Sequence, residues 1–272
     1  MKKPEKSELK LCGLAAVQAR WKREPESFVR LFFDQATGRR IGTICKALAV
    51  ARKVYRCVET EELQRIAGTL HHGGIVAVVE AEQEAAPEAA QLVRWALARE
   101  PVLVLDRVGN PHNLGALART AAFLGVTHLV IPQSSEASRA NEAAYRVSEG
   151  GLEALRLAVV PDLPGFLRLL AEAGYDVIGA ATRGGRVLRP GMGGSFSKGT
   201  RPVALVLGNE EEGMSREVQA ACTSLVTLGG SDAVESLNVS VAGALLMWEL
   251  LVPHSASSKA VPGPASVRPR RH

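Results

Sequence analysis

The apolar residues of this chain come in short runs, broken by polar stretches with helical spacing. Up to residue 80, segments 9–11 and 28–33 read as strands, with 14–20 helical between them. Segment 41–52 predicts a helix, 54–58 a strand, 59–67 a helix with acids in its first turn, and 75–79 a β-branched strand. That alternation predicts a small α/β domain over 1–80. Residues 81–90, rich in Glu, Ala and Gln, read as a linker and 88–98 as a helix, so 81–98 connects this domain to a larger one. From 99 to 252 the pattern is regular. Strands are expected at 102–105, 128–131, 156–160, 176–180, 203–207 and 225–228, and helices at about 114–124, 141–147, 163–173, 215–221 and 237–251. Strands alternating with helices predict an α/β fold with a parallel sheet covered on both faces. The Gly-, Ser- and Arg-rich stretch 183–201 reads as a flexible basic loop, and 253–272 as a disordered basic tail.

Composition adds three limits. The chain has 272 residues, 46% of them hydrophobic, enough for one large or two modest domains. No apolar run is long enough to span a membrane, and the charged start lacks the apolar core of a signal peptide, so a cytoplasmic protein is expected. Cys12, Cys45, Cys57 and Cys222 have no C-x-x-C spacing and read as reduced thiols rather than a zinc site or a disulfide frame. Charge is uneven: residues 1–58 carry 14 basic against 5 acidic side chains, 59–250 carry 15 against 23, and 251–272 carry 4 against none. Basic ends on an acidic body suit a chain that holds a polyanion, though a solvated basic face gives the same count.

Candidate chemistry concentrates in three segments. In the first, strand 102–105 runs into Gly109-Asn110-Pro111 and a helix of small residues, with Asn113 as a possible cap and Arg119 within two turns of it. A cation there opposes the helix dipole, which points to a nearby anion such as a phosphate or an intersubunit carboxylate; a solvated surface arginine is the plain alternative. In the second, the apolar run 203–207 ends at Gly208, which permits a tight turn, and Glu210, Glu211 and Glu212 follow at the carboxyl end of the strand, where open α/β sheets place ligands. Glu211 and Glu212 suit a solvated loop, and Glu210 is the functional candidate. In the third, Ser236, Asn238 and Ser240 precede an almost wholly apolar helix. Its N-terminus could cap itself as an ordinary core helix or face a ligand. Val241, Leu245 and Trp248 recur at helical spacing, as core or as an interface.

Taken in order, the segments Asn110 to Arg119, Leu207 to Gly213 and Leu228 to Ala242 resemble the three motifs of the SpoU/TrmH family of RNA ribose 2′-O-methyltransferases, in the knotted SPOUT superfamily. One departure stands out: Thr227-Leu228-Gly229 opens the third motif without the proline usual there. Residues 1–80 are similar, more weakly, to the RNA substrate-binding domain many such enzymes carry. The resemblance implies methyl transfer from S-adenosylmethionine to a ribose hydroxyl of tRNA or rRNA, a deep trefoil knot, a homodimer, and no metal. It implies a polar catalytic set of Asn113, Arg119, Glu210, Ser236 and Asn238, and cofactor contacts at Leu207, Gly208, Leu228 and Leu237. The alternatives are a non-catalytic RNA-binding protein that keeps the fold, and a nicotinamide dehydrogenase, which lacks support because no G-x-G-x-x-G follows the first strand of the large domain.

Overall fold

The computed structural model of the chain describes residues 8–81, 85–134, 137, 140–192, 201–231 and 233–252. Part of the expected basic loop, 193–200, the tail 253–272 and residues 82–84 of the linker lie outside the described residues. Two sheets organise the molecule. The first holds β1 (Glu8–Cys12), β2 (Phe28–Phe33), β3 (Val54–Cys57) and β4 (Ile75–Glu80) in the order β1-β4-β2-β3. β4 pairs antiparallel with both neighbours, and β2 pairs parallel with β3. Helices α1 (Leu14–Arg23), α2 (Gln35–Gly38), α3 (Gly42–Val50) and α4 (Thr60–Ala67) complete it. Leu31 and Phe33 face one core with Ile44 and Leu48 of α3, while Phe32 faces another with Leu63 and Ala67 of α4. This period-two alternation is why the 28–33 run folds as a strand.

The second sheet contains β5 (Val102–Leu105), β6 (His128–Pro132), β7 (Arg156–Val160), β8 (Asp176–Ala180), β9 (Arg186–Leu188), β10 (Val203–Leu207) and β11 (Ser224–Leu228). All pairings are parallel, in the order β7-β6-β5-β10-β8-β11-β9. Helices α5 (Ala89–Leu97), α9 (Leu163–Glu172) and α10 (Arg216–Ala221) cover one face, where Val102, Val104, Val130, Val177 and Val206 point. Helices α6 (Pro111–Phe123), α7 (Glu142–Ser148), α8 (Gly151–Ala154) and α11 (Val239–Leu250) supply residues to the other core, which takes Leu103, Leu105, Leu129, Leu205 and Leu207. Uninterrupted apolar strands are the consequence of burial on both sides.

The expected strands and helices are present, with three corrections. Helix α6 begins at Pro111, because the Asn110 side chain accepts the His112 N–H at 2.8 Å and Pro111 has no N–H to lose at that position. Asn113 is therefore a first-turn residue and not the cap. Helix α11 starts at Val239, capped by Asn238, whose side chain accepts the Ser240 N–H at 2.9 Å. The short elements α2, α8 and β9, of 4, 4 and 3 residues, were not expected; none is long enough to show a period.

The two sheets share one hydrophobic core, which runs from Leu31 and Leu48 through Val17 to Leu152 and Leu129. At the junction α1 lies on α8, and β1 packs against α7. Arg20 of α1 has a fully buried side chain and its Nε donates to Glu153 of α8 at 3.0 Å, where the carboxylate is also fully buried. Arg23 adds an ion pair to Glu153 at 3.3 Å. A Cβ at Gly150 would stand 3.1 Å from Ala19 Cβ, so the helices meet closely there.

Candidate active site

The carboxyl ends of β5 and β10 are neighbours in the sheet, and the loops that follow them lock together. Asp106 Oδ2 accepts the Ser215 N–H at 2.7 Å, and the Asn209 side-chain amide donates to the Arg107 carbonyl at 3.0 Å. Arg107, held at a left-handed φ of 55°, pairs with Glu212 at 2.8 Å. Within the second loop Asn209 Oδ1 accepts the N–H groups of Glu211 and Glu212 at 2.9 and 3.1 Å, while the Asn209 and Gly213 backbones exchange two bonds of 3.0 Å. The loop closes so tightly that a Cβ on Gly208 would lie 2.2 Å from Met214 N. Here the glycine is required by the turn itself.

This closure aims Glu210 at α6. Asn113 Nδ2 donates to Glu210 Oε1 at 2.5 Å, and Asn113 Oδ1 accepts from Asn238 Nδ2 at 3.3 Å. Three expected site residues, one from each motif, thus form a single hydrogen-bonded line from the loop after β10 through the first turn of α6 to the cap of α11. The residues that fix the line, Asp106, Arg107, Asn209 and Ser215, were not singled out in the sequence. Asn209 was the most readable, because an asparagine directly after a strand-ending glycine is a side-chain turn signal. Glu211 is exposed, and Glu212, with a side chain 70% exposed, serves Arg107.

Beside this line a cleft of about 520 Å³ opens at the carboxyl ends of β8, β10 and β11. Leu207, Gly208, Leu228 and Leu237 all line it, as do Glu210 and Ser236, whereas Asn113, Arg119 and Asn238 do not. The loop that lacks the proline is fixed by other means. Leu228 is the last residue of β11 and registers with Leu188 of β9, the Gly229 N–H donates to the Leu188 carbonyl at 2.9 Å, and the Gly185 N–H donates to Thr227 Oγ1 at 3.1 Å. Cys222 packs beneath, with burial and the Asp106 carboxylate pushing its thiol up to about 12; burial likewise pushes Cys12 up to about 11. Neither is a thiolate at neutral pH.

Arg119 stands apart from this cluster. It is the ninth residue of a helix of 13, so the expected clash with the helix N-terminus does not arise; the earlier start of α6 moves it toward the favourable end. Its guanidinium pairs with Glu149 at 3.0 Å, with both side chains more than half exposed. Its backbone is backed by α8, where a Cβ on Gly151 would lie 2.7 Å from Arg119 Cα.

Helix α11 divides its apolar residues between two sides. Val239, Leu246, Met247 and Leu250 are buried, and Gly243 lets the helix touch α6, since a Cβ there would meet Leu117 Cδ2 at 2.4 Å. Leu237, Val241, Leu245 and Trp248 remain 46–55% exposed, and all but Val241 also line the cleft.

The comparisons with known proteins agree with this arrangement. The profile of the SpoU rRNA methylase family matches residues 100–248, and that of an RNA 2′-O ribose methyltransferase substrate-binding domain matches 10–85. The 23S rRNA (guanosine-2′-O-)-methyltransferase RlmB of Ralstonia nicotianae is 35% identical over 88% of this chain and 93% of its own length. The enzyme of the same name from Yersinia pestis is 32% identical over 88% and 95%. An AdoMet-bound rRNA methyltransferase from Sinorhizobium meliloti shares the fold, with a TM-score of 0.69 at 20% identity over 89% of this chain and 86% of that one. The motif residues, the seven-stranded parallel sheet and the family profile over 100–248 lead to one assignment: this chain belongs to the SpoU rRNA methylase family.

Proposed function

We infer that the chain transfers a methyl group from S-adenosylmethionine to a ribose 2′-hydroxyl of RNA, with rRNA favoured over tRNA by the relatives named above. The observation that carries this reading is the hydrogen-bonded line Glu210–Asn113–Asn238 beside a cleft that Leu207, Gly208, Leu228 and Leu237 line. The cleft suits the cofactor. Its walls are largely apolar, and it is lined by Glu210, Glu212, Glu235 and Glu249 against Arg183 and Arg189, a balance that favours a cation such as a sulfonium. When bound, S-adenosylmethionine supplies an electrophilic methyl group on sulfur, which asks little of the protein beyond alignment and help with a proton.

The chain's residues divide that work. Backbone and apolar side chains of Leu207, Gly208, Leu228 and Leu237 hold the cofactor. Glu210, Asn113 and Asn238 keep the three motifs in register. Arg119 is a poor base, because a guanidinium hardly deprotonates; it clamps a phosphate or supports the developing alkoxide. Ser236, exposed at the rim of the cleft, reaches the ribose as hydrogen-bond partner or proton relay.

Three features complete the reading. The segment 203–250 threads a loop to make a trefoil knot: in support, β11 lies between β8 and β9, two earlier strands, so the chain after β10 re-enters between segments already laid down. An experimental structure with α11 outside every loop would overturn this. The exposed stripe of α11 is the seam of a homodimer, which brings one subunit's Arg119 toward the other's cleft. Residues 1–80 act as the RNA substrate-binding part, joined through 81–98 to a methyltransferase part over 99–252, in a cytoplasmic protein. Among the described residues no helix is long and apolar enough to cross a membrane.

The deciding experiment pairs calorimetric titration with S-adenosylmethionine and tritium transfer from labelled cofactor to 23S rRNA transcripts. Binding and incorporation at ribose 2′-oxygens are expected; absence of both refutes the reading.

A further inference from the structure

The four-stranded sheet has two unlike edges. β1 pairs with β4 on one side and packs against α7 on the other, so that edge is built into the body of the molecule. β3, at the far edge, pairs among the described residues with β2 alone, and all four of its residues are exposed. An open edge strand is a hazard that proteins blunt with charge. Here the charge greatly exceeds that need. Residues 35–58 contain six basic side chains and no acidic one. Arg39, Arg40, Lys46, Arg52 and Arg56 are exposed, and among the described residues none of them has a carboxylate partner. Helix α3 packs on β3 on the face that Tyr55 shares through its register with Leu31, and Arg56, in register with Phe32, reaches the same open edge from the other face, so Lys46, Arg52 and Arg56 flank one margin.

The margin is not purely cationic. Tyr55 on β3 is 39% exposed, Val54 beside it 49%, and Val50 at the end of α3 87%. Phosphates need only the cations. Exposed aromatic and apolar surface set among cations suits unpaired bases, which stack on it, and is wasted on a duplex that presents its backbone. We propose that the α3–β3 margin holds a single-stranded segment of the RNA substrate, with phosphates on Lys46, Arg52 and Arg56 and a base on Tyr55. This rests on the reading that the chain acts on RNA. It adds where the RNA is gripped and in what form. The strand order also implies a distance: the gripped segment lies three strand spacings, about 14 Å, beyond the edge fixed to the body.

The test uses the full chain, a fluorescein-labelled 20-nucleotide RNA of mixed sequence without secondary structure, and a hairpin of equal length. The variant Lys46→Gln/Arg52→Gln/Arg56→Gln is compared with the charge-matched Lys22→Gln/Arg94→Gln/Arg168→Gln, all three of whose sites are exposed. The margin variant should weaken single-strand binding at least tenfold at 0.1 M salt and lower the salt slope by roughly two units, at about 0.7 per lost phosphate contact. Tyr55→Ala should weaken it roughly fivefold or more, as loss of one stacked base does, with the slope unchanged. Thermal unfolding and S-adenosylmethionine affinity should match the wild type in every variant. Equal weakening by both triple variants overturns the inference, as does tighter binding of the hairpin with no effect of Tyr55→Ala. Either result leaves methyl transfer standing, whereas a wild-type chain that binds neither RNA nor the cofactor overturns that reading itself.

Discussion

At the scale of single residues, the candidate site separates holding from reacting. Arg119 touches neither the cleft nor the line from Glu210 to Asn238, so Arg119→Ala should leave S-adenosylmethionine affinity within a few-fold while methyl transfer falls on the order of a hundredfold, the usual cost of one charge-stabilising group. Calorimetry and tritium incorporation on the same preparation measure the two effects. Gly208→Ala should do the opposite kind of damage. With a Cβ 2.2 Å from Met214 N the turn must shift, at about 1–3 kcal/mol, and cofactor binding should be lost with it. His128 sets a pH limit. It is fully buried, stacked on Trp95 at 3.6 Å and bonded to Glu100 at 2.5 Å, and burial lowers its pKa despite that carboxylate. The unfolded chain then takes up this proton more readily than the folded one. Its contribution to stability is intact above the ordinary histidine value of about 6.5 and is lost as pH falls through it. Thermal midpoints measured from pH 7.5 to 5.5 should fall, and fall less in His128→Phe. Glu210 was readable as a candidate because it directly follows the strand-ending turn, whereas Asn113 and Asn238 were marked as site residues only by the resemblance of their motifs. Glu149 was not, since an ion pair between two exposed side chains leaves no mark in a pattern.

At the scale of elements, apolar runs and turn residues were enough to find nearly every strand and helix, and misplaced the starts of two helices. The start of α6 was misjudged because Asn110 and Asn113 are both credible caps, and only the Asn110 bond to His112 N–H separates them. β9 escaped because three residues carry no period; it is stabilised by its neighbour β11. Helix α11 shows the limit most clearly. Its apolar residues surround it almost evenly, and a sequence cannot say which side meets the body and which stays exposed. The contact with Leu117 and Leu207 at Gly243 settles the inner side, leaving Val241, Leu245 and Trp248 outward. The double variant Leu245→Glu/Trp248→Glu should sediment as a monomer at micromolar concentration, with unfolding little changed, because both side chains are about half exposed in the single chain. A wild-type chain that is itself monomeric under those conditions would remove the proposed interface.

At the scale of the whole molecule, the charge imbalance between 1–58 and 59–250 was legible, and the way the two sheets join was not. The join depends on Arg20 meeting Glu153, a contact between residues 133 positions apart. Arg20→Met should cost about 3 kcal/mol, since it removes the fully buried partner of the Glu153 carboxylate and leaves that charge to the partly exposed Arg23, and chemical denaturation should register the loss. Glu153→Gln in the Arg20→Met background should recover part of it. The same pair bears on how such a protein can be recombined. A substrate-binding part taken from a relative would bring its own α1, and without arginines at the positions of Arg20 and Arg23 the graft would bury the Glu153 carboxylate without either of these partners. The two parts are therefore not freely exchangeable modules. Engineered changes of RNA target should come more readily by substitution on the distant, open α3–β3 margin than by swapping the whole part.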